Sequence, residues 1–202
     1  MLTIALPKGR IAQQTLEKFE YAFNEKFIFE DRKLILKKSG FTFLNVRNQD
    51  VPTYVKYGAA DLGVVGLDVL QEQEYNLINL LDLKIGKCKL CIGIKAGDTL
   101  NWNKSELKIA TKHTRIAKKY FEEKAMAVTI IKLYGSIELA PLVHLSDCIV
   151  DIVETGSTMK QNGLEIGPVI MQSSAQLVAN ENSFYIKKEA ILDLREKIQK
   201  TL

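Results

Sequence analysis

Histidine is scarce in this chain. Only His113 and His144 occur among 202 residues, and neither has a partner at metal-ligand or triad spacing, so neither is assigned a role. Cysteine is nearly as rare and odd in number, with Cys88, Cys91 and Cys148. Cys88 and Cys91 have C-x-x-C spacing, but zinc would need two more ligands, and a redox pair normally opens a helix rather than sitting in an alternating strand. The three read as reduced, mostly packed thiols of a cytosolic protein. No apolar run approaches bilayer-spanning length. The apolar start, Leu2-Thr3-Ile4-Ala5-Leu6, is too short for a signal peptide and lacks a basic lead and a small-residue cleavage site. A soluble cytoplasmic protein with no membrane partner is expected. One-sided charge is also missing. Twenty-eight Lys and Arg against 24 Asp and Glu leave +4, and the densest lysine clusters are pairs, which argues against a nucleic-acid partner but suits polyanionic small substrates. Neither a Walker loop nor a G-x-G-x-x-G run is present, and no repeat or low-complexity tract appears.

What remains is 47% hydrophobic, enough for one large domain or two small lobes. Apolar runs at 2–6, 33–37, 41–46, 61–65, 77–83, 88–94, 108–111, 128–132, 148–153 and 169–179 read as strands. Helical spacing covers 11–24, 49–57, 67–74, 113–124, 137–143 and 187–202, with Asp50 and Ser136 as expected N-caps and Pro52 in a first turn. Strand and helix alternate, so α/β layers with mainly parallel sheets are expected. The run 88–167 looks self-contained. The simplest architecture has one lobe from 1–87 plus 168–202 and a second from 88–167, with a substrate cleft between them near strand carboxyl ends.

The most informative stretch is Ile149-Val150-Asp151-Ile152-Val153-Glu154-Thr155-Gly156-Ser157-Thr158. A buried strand ending in acids and then a Gly/Thr/Ser turn can hold a sugar phosphate. Backbone N–H groups and the Thr155, Ser157 and Thr158 hydroxyls can wrap phosphate oxygens. Asp151 and Glu154 can accept from ribose hydroxyls or meet a magnesium ion carried on a diphosphate. The same four residues, Thr-Gly-Ser-Thr, also suit an ordinary turn and an N-cap.

Other loops follow strands in the same way. Gly9 permits close backbone approach, while Lys8 and Arg10 offer donors to phosphate, or form a plain basic loop. The glycine-punctuated stretch 58–68 is explained largely by tight packing, with Asp68 as its candidate ligand contact. Glu138 is either a dipole partner or a ligand contact. Arg32 and Arg47 lie beside strands, as surface residues or as parts of a polyphosphate site.

Taken together and in order, Leu6-Pro7-Lys8-Gly9-Arg10, Asp50-Val51-Pro52-Thr53-Tyr54-Val55, the stretch 58–68, Tyr134-Gly135-Ser136-Ile137-Glu138-Leu139-Ala140-Pro141 and the loop 151–158 resemble the ATP phosphoribosyltransferase family. The resemblance runs from residue 2 to about 179. It implies a two-lobed fold like type II periplasmic binding proteins. It also implies transfer of phosphoribosyl from phosphoribosyl pyrophosphate to N1 of ATP, with Mg2+, as the first step of histidine biosynthesis. By that resemblance Asp151, Glu154, Thr155, Gly156, Ser157 and Thr158 hold the ribose 5-phosphate. Lys8, Arg10 and Arg32 serve the diphosphate and the ATP phosphates as catalytic residues. Gly9, Arg47, Asp68 and Glu138 are looser carry-overs to ATP and diphosphate, and no side chain is assigned as a direct metal ligand. The long form of the family carries a C-terminal regulatory domain, and a chain stopping at Leu202 has no room for one. The short form, which this chain resembles, works with a regulatory subunit similar to histidyl-tRNA synthetase, commonly as a hetero-octamer. A homodimer of the catalytic chain is also expected.

The implied chemistry needs no histidine, because adenine N1 attacks through a neutral lone pair with no proton to remove. Departure of pyrophosphate is the hard part, and cationic groups can stabilise the growing charge. Two other readings stay open on sequence. One is a nucleobase phosphoribosyltransferase, although such enzymes usually carry two adjacent acids where this chain has Val150-Asp151 and a separate Glu154. The other is a two-lobed binding module without turnover.

Overall fold

The computed structural model describes residues 1–30 and 32–202. The chain divides into two units, Met1–Lys87 with Ser174–Leu202, and Cys88–Ser173. In chain order the first unit holds β1 (Leu2–Pro7), α1 (Arg10–Phe23), β2 (Ile35–Lys38), β3 (Phe41–Val46), a 3-10 turn (Asn48–Asp50), α2 (Val51–Lys56), β4 (Leu62–Gly66), α3 (Leu67–Gln73) and β5 (Ile78–Asp82). The second unit holds β6 (Cys88–Lys95), β7 (Leu107–Thr111), α4 (Thr114–Glu122), β8 (Val128–Lys132), α5 (Leu139–Leu142), β9 (Cys148–Val153), α6 (Ser157–Gln161) and β10 (Leu164–Ser173). The chain returns to the first unit with β11 (Ala175–Ala179), α7 (Glu181–Ile186) and α8 (Lys188–Gln199).

The first unit's sheet has the order β2-β3-β1-β4-β11-β5, and the second unit's has β10-β6-β9-β7-β8. The sheets are mixed, which corrects the expectation of mainly parallel pairing. β1 runs parallel to β3 and β4, and β7 parallel to β8 and β9, as helical crossovers require. The other pairings are antiparallel. The tight turn at Ser39-Gly40 folds β2 back on β3, and β11 comes back from the second unit against the direction of both β4 and β5. β6 likewise runs antiparallel to β9 and to β10.

Local spacing explains the helices that cover these sheets. α1 buries Ala12, Thr15, Leu16 and Phe19, a three- and four-residue repeat on one face. Phe19 meets the rings of Phe41 and Phe43 edge-on, with centroids 5.4 and 5.1 Å away. In the second unit α4 buries Ile116, Ala117 and Phe121 against Leu90, Ile92, Ile109 and Val150. The cysteines are free thiols. Burial raises the Cys91 thiol above its usual range and pushes Cys148 up to about 12. Among the described residues no helix is long and apolar enough to cross a membrane.

Several boundaries differ from expectation. The return between units falls after Ser173, not at Gly167-Pro168. The break is absorbed inside β10, where the pairing with β6 slips between Ile166 and Val169. β10 is an edge strand, where proline's missing N–H is tolerated. The apolar stretch 169–179 is therefore two strands in two sheets. α7 escaped the periodicity, although Asn180 caps it by accepting from the Ser183 N–H at 2.9 Å. α2 and α5 are shorter than their apolar spacing implied, and neither Asp50 nor Ser136 makes a capping bond. Asp50 sits at the α2 N-cap without a side-chain bond, and Ser136 stands in a left-handed turn two residues before Glu138, the N-cap of α5.

Candidate functional site

In the second unit the parallel strands β7, β8 and β9 bring their carboxyl ends to one edge. Lys112 follows β7, the turn containing Glu138 follows β8, and residues 154–158 follow β9. Glu138 and residues 151–159 line one cavity of about 330 Å3. The expected phosphoribosyl residues Asp151, Glu154, Thr155, Gly156, Ser157 and Thr158 are thus brought together, and the looser candidate Glu138 joins them.

The loop's geometry is set by Gly156, the N-cap of α6, with φ 82° and ψ 0°. That left-handed conformation costs an L-residue free energy, and a Cβ here would stand 2.5 Å from Ile166 Cδ1. Because glycine holds the N-cap, no side chain caps α6. The Thr155 and Ser157 hydroxyls instead lie 3.0 Å apart, and the Ser157 N–H reaches Thr155 Oγ1 at 3.4 Å. Thr155, Ser157 and Thr158 are all exposed. The result is a compact row of hydroxyls around a bare backbone turn, chemistry suited to an oxyanion.

Asp151 lies inside β9, paired in register with Cys91 of β6. Its Oδ1 is sealed from solvent and takes no hydrogen bond. Lys112 Nζ stands 3.4 Å from that oxygen. Lys112 was not among the residues expected from sequence. The signal that finds it is its position directly after a parallel strand, the same signal that singled out Lys8. Thr111 fixes that position. Fully buried, it donates its Oγ1–H to the Val150 carbonyl at 2.6 Å and accepts the His113 N–H at 2.9 Å.

The first unit gathers its candidates on a corresponding edge. β1, β3 and β4 are parallel, with Pro7 paired to Val46 and Ala5 to Gly63. Lys8, Gly9 and Arg10 therefore emerge beside Arg47, and the Lys8 N–H donates to the Val46 carbonyl at 2.8 Å. Asp68 follows β4 in the first turn of α3 and is buried, at 3% exposure. Arg32 precedes β2, whose antiparallel register, Ile35 to Leu44, puts that residue at the same edge. Gly9 is the N-cap of α1 at φ 97°, and Lys8, Arg10, Arg32 and Arg47 are exposed. Three arginines and a lysine on one strand edge favour a polyanion. Gly63, in the glycine-rich stretch, serves packing, since a Cβ there would stand 2.6 Å from Val55 Cγ2.

A larger cavity, about 430 Å3, lies at the opposite, amino edge of the second sheet. Two of its charges are closed on each other, with Lys104 Nζ 2.7 and 2.8 Å from the two oxygens of Asp147.

Comparison with known proteins accords with this arrangement. The HisG family profile, ATP phosphoribosyltransferase, matches residues 47–200. The chain is 64% identical over 199 residues to the ATP phosphoribosyltransferase of a Sulfurovum species, covering 98% of this chain and 97% of that protein. Among solved structures it is similar to the ATP phosphoribosyl transferase (HisG:HisZ) complex from Thermotoga maritima, with TM-score 0.85 and 36% identity over 99% of this chain and 98% of that one. The periplasmic aliphatic sulphonate binding protein SsuA from Escherichia coli shares the fold alone, at TM-score 0.64 and 11% identity over 98% of this chain and 71% of that one. The fold class is the α/β arrangement of type II periplasmic binding proteins.

Proposed function

The chain belongs to the ATP phosphoribosyltransferase family, enzymes of histidine biosynthesis, and from that premise we propose that it transfers phosphoribosyl from phosphoribosyl pyrophosphate to N1 of ATP. The observation that carries the site assignment is the cavity at the end of β9, where acids and a hydroxyl-rich glycine turn share one pocket. The turn's N–H groups with Thr155, Ser157 and Thr158 surround the 5-phosphate. Asp151 and Glu154 accept hydrogen bonds from the ribose hydroxyls, which fixes the sugar against rotation. Lys8, Arg10 and Arg32 meet the diphosphate and the ATP phosphates, with Gly9, Arg47, Asp68 and Glu138 as supporting contacts.

In the transfer, the N1 lone pair forms the bond to the anomeric carbon, and the C–O bond to pyrophosphate breaks with its electron pair on the leaving oxygen. No proton leaves the nucleophile, so no general base is needed. The guanidinium groups of Arg10 and Arg32 stabilise the leaving charge. Among the described residues no three His, Cys, Asp or Glu side chains gather as a metal cage. Asp151 and Glu154 are the carboxylates within the pocket that would meet a magnesium ion carried on the substrate's phosphates. Bound there, it would neutralise charge on the departing pyrophosphate.

The Thermotoga relative is a HisG:HisZ complex. By that likeness this chain works as a short-form catalytic subunit with a HisZ-like regulatory partner. The test is turnover of purified chain, alone and with that partner, followed by the ultraviolet absorbance of N1-substituted adenine. Product should require both substrates and Mg2+, and Arg10→Ala should lower kcat by about a hundredfold while leaving the protein folded. Ligand binding with no product, even with the partner present, would overturn the reading.

A further inference from the structure

The carboxylate of Asp151 has an unusual environment. Its side chain is only 17% exposed, and its Oδ1 is shut off from solvent without a hydrogen bond. A carboxylate oxygen in that state is destabilising unless a charge stands near it. Lys112 supplies that charge from 3.4 Å, through a side chain that is 30% exposed. The approach is an ion pair without a hydrogen bond, so it balances charge while leaving the acid's bonding capacity for something else. It does not arise from a floppy surface lysine. Thr111 staples the β7 end to β9 through the Val150 carbonyl, one residue before Asp151, and holds the turn into α4 through the His113 N–H.

We propose that Lys112 is a positioning residue for phosphoribosyl binding. It balances the Asp151 carboxylate from its sealed side and so holds it toward the cavity, ready to accept from a ribose hydroxyl. Lys112 acts through Asp151, not on the substrate. This rests on the assignment of residues 151–158 to the phosphoribosyl group. It adds a residue outside that loop and a division of labour within the acid: lysine behind, ligand in front.

The test is a double-mutant cycle on the full chain with its regulatory partner, reading KM for each substrate and kcat. Lys112→Met should raise KM for phosphoribosyl pyrophosphate by about tenfold, with kcat within about twofold and KM for ATP unchanged. Lys112→Arg should restore most of the loss. In an Asp151→Asn background, Lys112→Met should add nothing, because its target is gone. A full, additive effect in that background would mean that Lys112 touches the substrate itself, and would overturn the proposal. An unchanged KM in Lys112→Met, beside a raised one in Asp151→Asn, would overturn it too while sparing the phosphoribosyl site. If Asp151→Asn itself leaves KM unchanged, the site assignment is what fails, and the role of Lys112 falls with it. Should Lys112→Met not fold, Lys112→Gln carries the same cycle.

Discussion

Asp61 and Asp151 are both acids at strand ends with a lysine beside them, and the two units treat them in opposite ways. Asp61 stands at the entry of β4. Its carboxylate accepts the Thr3 N–H at 2.9 Å, and both oxygens meet Lys187 Nζ at 2.8 Å. That one side chain ties β1 and the start of α8 to β4. Asp151 stands near the exit of β9, with a lysine at 3.4 Å and a sealed oxygen that bonds nothing. A closed acid is structural, because both of its oxygens are bonded within the fold. An open one beside a hydroxyl-rich turn is held for a ligand. Asp147, closed by Lys104 at the far edge of the second sheet, belongs with Asp61.

The largest effect should come from removing the open acid. Asp151→Asn is expected to lower kcat/KM for phosphoribosyl pyrophosphate by about a hundredfold, the scale of a lost hydrogen bond to a charged group, while shifting stability by less than about 1 kcal/mol. Steady-state kinetics and chemical denaturation of the same preparation separate the two. A variant that unfolds but turns over normally would erase the distinction. Asp61→Asn should do the reverse, costing about 2 kcal/mol of stability at neutral pH with kinetic constants intact. The loss is smaller than for a fully buried pair because the Lys187 side chain is 39% exposed. A third, smaller effect tests the loop that frames Asp151. Gly156→Ala combines left-handed strain with a contact on the tip of Ile166, and should cost about 1 to 2 kcal/mol and raise KM for the same substrate. Gly9→Ala, with similar strain and nothing within 4 Å, should cost less; equal costs would show that the Ile166 contact is relieved by a simple side-chain shift.

The strand-loop logic of the site was legible in the sequence because it is local. A parallel strand delivers its next residues to the carboxyl edge whatever the rest of the fold does, so Lys8, Arg10, Arg47 and the loop after Val153 could be picked from apolar runs alone. Strand direction was not legible where it depended on distant partners. β10 and β11 form one apolar stretch, and only pairing with β6 in one unit and with β4 and β5 in the other divides them at Ser174. Lys112 was missed for a related reason. Its importance comes from Asp151, about forty residues on, and only the β7–β9 register, Thr111 opposite Val150, brings the two together. Short helices failed in the other direction: α5 has the apolar spacing of a longer helix, but Ser136 adopts φ 49° and the helix starts three residues later.

The smallest predicted effect is also the most direct probe of a closed acid. Burial raises the Asp61 carboxyl, but hydrogen bonds from Lys187, the Thr3 N–H and Ser183, with the charge of Lys187, outweigh it and hold it below its ordinary value of 3.8. A carboxyl depressed in the folded state binds its proton more readily once unfolded. Its contribution is therefore present in full above the ordinary value and is lost as pH falls through the folded one. The stability gap between the parent chain and Asp61→Asn should consequently be constant from neutral pH down to about pH 5 and narrow below about pH 4, as the parent's own Asp61 takes up a proton. Asp82 and Asp147 are depressed too, by Lys84 and Lys104, and remain in both proteins, so they steepen both acid limbs without changing the difference. Denaturant midpoints measured pairwise at each pH isolate it. A gap that stays constant into strong acid would mean that Asp61 holds its strands through shape and neutral hydrogen bonds, not through charge, and the contrast with Asp151 would then have to rest on bonding geometry alone.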